Sequence, residues 1–335
     1  MTGREGATGS PTIEVRPENA GQGTSIDDTS ATGGVGPFTT WARQRRANGR
    51  ILLRTSRRHR KGLQPLVVAL EDVRPEMAAL MVGHEWLHWW APRRIGWWIA
   101  VLFMIGSALF AIGGAQATWP DAAVVRWLDP RLTGWIFFAG SVFFTSAAYL
   151  QWLEALNNDV ADISIPTDSL PPRWRFLGWC PHNLGYLASA VQLVGTILFN
   201  IDTADALITG LGWKGEDVLV WTPDMLGSVC FLVASQAALM EISHHYWSWQ
   251  PRSLSWWIAA INMLGSVLFM VSAVASLVEP GPVIVAPWPA NFGTFAGAVC
   301  FLVGAYLLIP ELFEEKVAPR RRRDNQRPLI ETVLR

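Results

Sequence analysis

Charge is scarce in this chain where apolarity is greatest. Only 16% of its 335 residues are charged, against 50% hydrophobic, and the long apolar blocks hold almost no ionisable side chain. A soluble all-helical protein would interrupt such blocks with charge at helical period. An acid or base near mid-membrane is the usual mark of proton- or sodium-coupled transport. Its lack argues against secondary transport and leaves a passive pore open. Cysteine is also scarce. Cys180, Cys230 and Cys300 form neither a disulfide framework nor a metal spacing, and within spans cysteine behaves as a small hydrophobe. No His lies inside an apolar block, which excludes bis-His haem. The start, Met1-Thr2-Gly3-Arg4-Glu5, lacks the apolar core of a signal peptide, so the first span is expected to direct insertion itself.

Six blocks are long enough to span a membrane: about 95–115, 133–153, 183–201, 223–241, 254–277 and 291–310. Each approaches the roughly 20 residues that cross a hydrocarbon core. Nineteen Trp mostly flank them, as aromatic belts do. Lys and Arg set the expected orientation. Only Arg126, Arg131 and Lys214 fall on one side, so both termini are expected to be cytoplasmic.

The blocks repeat. Trp90-Ala91-Pro92, Trp179-Cys180-Pro181 and Trp249-Gln250-Pro251 each precede a Gly by the same interval, at Gly106, Gly195 and Gly265. A second Gly follows at Gly140, Gly227 and Gly297, then Phe144, Phe231 and Phe301 four residues on, then Glu154, Glu241 and Glu311. Equal offsets in three copies predict three two-helix hairpins in one orientation. Helical rise brings the two glycines of each hairpin to one depth, where small residues allow close backbone approach. The expected organisation is a disordered, basic cytoplasmic tail (1–64), an amphipathic cytoplasmic segment (65–91), hairpins at 92–154, 181–241 and 251–311 with a cytoplasmic linker at 155–180, and a basic tail (312–335).

Each glutamate closes a descending helix, where the helix dipole disfavours an anion, while Arg93, His182 and Arg252 follow the three prolines at helix starts, where it disfavours a cation. Antiparallel pairing predicts Arg93–Glu154, His182–Glu241 and Arg252–Glu311, with a role in registry. Trp221-Thr222-Pro223-Asp224 reads as a helix start capped by Thr222. The intramembrane polar residues Gln192, Asn200, Gln236 and Asn262 are expected to hydrogen-bond between helices or, alternatively, to line a path.

His84-Glu85-Trp86-Leu87-His88 matches HExxH, in which two His one helical turn apart share a zinc and Glu activates water. No third ligand stands at a recognisable spacing, and Pro92 with the first span follows at once. The bland reading is a pair of interfacial histidines among tryptophans. Zinc is therefore the alternative to having no cofactor. Between Trp41 and Lys61 lie nine Lys or Arg, and Arg320 to Arg323 form a second basic run. Such runs read as contacts to anionic inner-leaflet lipid or as topology signals. Nucleic acid is not an expected partner, because the short basic stretch carries no nucleic-acid-binding fold.

The elements Gly106-Ser107-Ala108-Leu109-Phe110 and Gly134-Trp135-Ile136-Phe137-Phe138-Ala139-Gly140-Ser141 resemble the YrhK-like family of small bacterial membrane proteins. Gly265-Ser266 and Gly293 to Gly297 fit with departures at Thr294 and Ala298. The resemblance covers about 90–154 and 250–311. It implies an integral membrane protein of undefined activity and supplies no catalytic residues. The expected function is a non-enzymatic structural or interaction role in the bacterial inner membrane, in the bilayer and with room for a homo-oligomer. The alternatives are a membrane-face zinc hydrolase using His84, Glu85 and His88, and a passive channel or small-molecule carrier.

Overall fold

The computed structural model describes residues 30–45, 51–63, 65–68, 88–158, 174–280 and 283–314. Six helices among them are long and apolar enough to cross a membrane, the architecture of a multi-pass membrane protein. They are α2 (Ile95–Thr118), α3 (Thr133–Asn157), α4 (Leu184–Asp205), α6 (Thr222–Ser243), α7 (Leu254–Ala275) and α8 (Pro287–Glu311). Each packs against the next, and α8 returns to α2, so the six form a closed ring. Exposed tryptophans mark both ends, among them Trp90, Trp179 and Trp249 at one and Trp127, Trp135 and Trp288 at the other. Amphipathic indoles settle at the two membrane–water boundaries.

Local chemistry repeats at the helix starts. Asn183 and Ser253, two residues after their prolines, accept hydrogen bonds from the amides of Tyr186 and Trp256 and cap α4 and α7. Trp97, Tyr186 and Trp256, each five residues after its proline, donate to the carbonyls of Trp89, Gly178 and Ser248 at 2.8–3.0 Å. A side-chain bond thus ties each incoming segment of chain to its helix.

Glycine sets the spacing within each helix pair. A Cβ on Gly106 would meet the Gly140 carbonyl at 3.0 Å, one on Gly195 the Gly227 carbonyl at 3.1 Å, and one on Gly265 the Gly297 carbonyl at 3.1 Å. A backbone carbonyl cannot rotate away, so the pairs α2–α3, α4–α6 and α7–α8 come this close only because the side chains are missing. Between pairs, hydroxyls join neighbours: Ser141 with Thr203 at 2.9 Å and Ser235 with Ser266 at 2.8 Å.

Two sequence expectations give way. Thr222 does not begin a helix. The short α5 (Trp213–Glu216) continues through a π-helical turn (Asp217–Trp221) directly into α6. Pro223 lacks an amide hydrogen and crowds the carbonyl one turn back, and a wider turn ahead of it relieves both. The segment 1–64 is not disordered throughout: it holds β1 (Ser30–Val35), β2 (Phe38–Arg45) and β3 (Ile51–Thr55), which with β4 (Leu66–Val68) just beyond it form an antiparallel sheet in that order. The short helix α1 (Ser56–Arg60) lies between β3 and β4. A pair of two-residue strands, β5 (Val278–Glu279) and β6 (Val283–Ile284), links α7 to α8.

Candidate functional site

Six phenylalanines meet at the centre of the ring in two layers. Phe144, Phe231 and Phe301 contact one another with ring centroids 5.5–6.5 Å apart. In the second layer Phe269 lies 6.1 Å from Phe110 and 5.7 Å from Phe199. Within each helix pair one layer touches the other, as Phe110–Phe144, Phe199–Phe231 and Phe269–Phe301 at 5.1–5.3 Å. Tilted and edge-on pairs of this kind are the favoured aromatic geometry. All six rings are at least 93% buried, so they close the middle of the bundle.

A cavity abuts each layer. The first, of about 80 Å³, rests on Phe144, Phe231 and Phe301, with Gln151, Gln192 and Asn262 on its walls and Glu154 and Glu241 at its far end. The second, of about 420 Å³, rests on Phe110, Phe199 and Phe269 and widens past Thr203, Asp202 and Asp224. Among the described residues, no Lys, Arg or His lines the second cavity. Asp224 approaches the hydroxyl of Ser276 at 3.5 Å.

Glu154, Glu241 and Glu311, the last acids of α3, α6 and α8, converge above the smaller cavity and are 1–3% exposed. Burying three carboxylates demands compensation. It comes from the N-terminal unit. Arg57 donates to both oxygens of Glu311 at 2.6 and 3.0 Å, and Lys61 pairs with the same carboxylate. Arg60 donates to Glu241 at 2.8 Å and lies 3.6 Å from Glu154. The hydroxyls of Ser56 and Ser255 complete Glu241 and Glu311 at 2.7 and 2.6 Å. Small residues four positions after each proline make the room: a Cβ on Gly185 would sit 2.5 Å from Glu241, and one on Gly96 3.4 Å from Glu154.

The pairs expected for these carboxylates do not form. Arg93, His182 and Arg252 are exposed, while the glutamates turn inward to the N-terminal unit, where they meet full rather than partial compensating charges. Burial opposes the Arg57 charge, but Glu311 outweighs it and raises the Arg57 pKa; for Lys61 burial prevails and lowers it. Just beyond, burial and the Glu311 charge push Glu314 up to about 7, although Arg58 donates to it at 2.9 Å. Burial also lowers His244 to about 4. Its Nδ1 lies 2.7 Å from the Thr40 hydroxyl, tying β2 to the end of α6.

Among the intramembrane polar residues, Gln192 accepts from Gln151 at 3.3 Å on the cavity wall, and Asn262 lines the same cavity. Asn200 instead donates to Thr145 at 2.7 Å, joining α4 to α3, and Gln236 donates to the Tyr246 carbonyl at 2.9 Å. His84 and Glu85 lie outside the described residues. His88 is exposed, with its ring 5.5 Å from that of Phe313. No family of known proteins, no curated protein and no solved structure matches this chain.

Proposed function

We propose that the chain is a passive channel whose pathway runs through the centre of the helix ring and is shut here by the phenylalanine layers. In this reading the three hairpins are repeats about a threefold axis along the membrane normal, and the glutamate end and both tails are cytoplasmic in a bacterial inner membrane. The bias of Lys and Arg supports that orientation. One observation carries the proposal: the two cavities abut opposite faces of a single double layer of six side chains. Apolar constrictions of this kind gate by excluding water.

The test is stopped-flow light scattering of proteoliposomes after an osmotic step. The wild type should match protein-free liposomes, and Phe231→Ala/Phe301→Ala, combined with Arg57→Gln/Arg60→Gln/Lys61→Gln to clear the glutamate end, should leak small solutes. A folded combined variant that stays tight would overturn the reading. The second reading is a non-conducting membrane scaffold, favoured by the completeness of the phenylalanine packing. The same tight result would support it.

A further inference from the structure

We infer that the segment Ser56–Lys61 is an autoinhibitory cap, which shuts the glutamate end of the pathway by filling a carboxylate ring with the chain's own cations. The inference rests on the pathway reading, and four observations lead to it.

The three carboxylates come one from each helix pair, at the same distance from the second glycine, so the ring belongs to the bundle and not to any one hairpin. Among the described residues, every Lys or Arg ion pair to them comes from the cap: Arg57 and Lys61 to Glu311, Arg60 to Glu241 and Glu154. Three cations meet three anions, and all three cations also border the smaller cavity. They stand directly across its route to the glutamate end.

The fit at Arg60 is incomplete. This residue is 6% exposed, yet its Nε finds no hydrogen-bond partner. A buried arginine left partly unsatisfied is costly, which lowers the cost of withdrawing it from the ring. At the opposite end, Asp202, Asp224 and Glu216 line the wider cavity without a base. Acid therefore stands at both ends of the pathway, and among its lining residues the only bases are those of the cap. Rings of Asp or Glu select cations. With the cap withdrawn, the mouth is a ring of three carboxylates leading to the amides of Gln151, Gln192 and Asn262, which suits small cations.

The test uses the full chain in detergent or liposomes, with Cys180, Cys230 and Cys300 replaced and Ser235→Cys introduced on the wall of the small cavity. A positively charged and a negatively charged methanethiosulfonate reagent of similar size are applied separately, and labelling rates are measured. With the native cap both should be slow. In Arg57→Gln/Arg60→Gln/Lys61→Gln the positive reagent should react at least tenfold faster than before, and faster than the negative one.

A second variant adds Glu154→Gln/Glu241→Gln/Glu311→Gln, so that no buried charge is left uncompensated if the first fails to fold. It should label quickly with both reagents and with no charge preference. Slow labelling in folded forms of both variants, or equal rates for the two reagents in the first, would overturn the inference. The pathway reading fails separately: fast labelling together with liposomes that stay tight when Phe231→Ala/Phe301→Ala is added to the first variant would leave the cap standing on a bundle that does not conduct.

Discussion

Arg57 and Glu311 are 254 residues apart in the chain and share two hydrogen bonds, Nε to Oε1 at 2.6 Å and Nη2 to Oε2 at 3.0 Å. Their side chains are only 11% and 2% exposed. A two-point contact between arginine and carboxylate fixes orientation as well as charge. It sets the N-terminal unit in one position on the bundle.

Breaking that contact from one side leaves a buried charge. Arg57→Gln should destabilise the protein by about 3 kcal/mol, the low end for a broken buried pair, since Lys61 still faces Glu311. Arg57→Gln/Glu311→Gln should cost clearly less than the two single changes added together. Thermal unfolding of all four proteins in one detergent reads the coupling. Additive losses would remove the pair from the account.

The helix pairs depend on glycine at fixed depth. A Cβ on Gly195 would fall 2.9 Å from the Cys230 Cβ and 3.1 Å from the Gly227 carbonyl. Gly195→Val should therefore cost about 1–3 kcal/mol by overpacking. Gly212→Ala, where a Cβ meets nothing within 4 Å, should change stability little. Equal effects of the two changes would contradict close packing at Gly195.

Docking of the N-terminal sheet should weaken in acid through His244. When docked it titrates at about 4, against 6.5 for a free histidine, and Glu241 partly offsets the effect of burial while His245 adds to it. The released form binds more protons between those values. The contribution of His244 is therefore fully present above about pH 6.5 and is lost as the pH falls towards 4, by roughly 3 kcal/mol in all. Hydrogen exchange of the β2 amides at pH 5 and pH 7.5 checks it. His244→Gln should flatten the difference, and an unchanged difference in that variant would assign the acid effect to another group.

The spans were legible because membrane helices write themselves as long uncharged runs. The third block, expected at 183–201, is a helix over Leu184–Asp205, and the fifth, expected at 254–277, is one over Leu254–Ala275. The glutamates at matched offsets were legible too, but their partners were not. Ion pairs across 181 and 254 residues leave no local spacing to read. Arg57, Arg60 and Lys61 sat within a basic run that matched a topology signal equally well. The sheet escaped notice because β1, Ser30–Val35, carries Gly33-Gly34 and no clear two-residue alternation. Gln151 and Asp202 were missed as cavity residues because neither repeats at the matching position of the other hairpins.

A pathway through the middle of the helix ring, closed by phenylalanine, is the function we propose. It is tested most directly by current across a planar bilayer holding the protein with Phe231→Ala/Phe301→Ala and with Arg57→Gln/Arg60→Gln/Lys61→Gln combined. Discrete openings are expected in the combined protein, fewer or none in either set alone, and none in the wild type. A folded, correctly inserted combined protein that passes no current would contradict it.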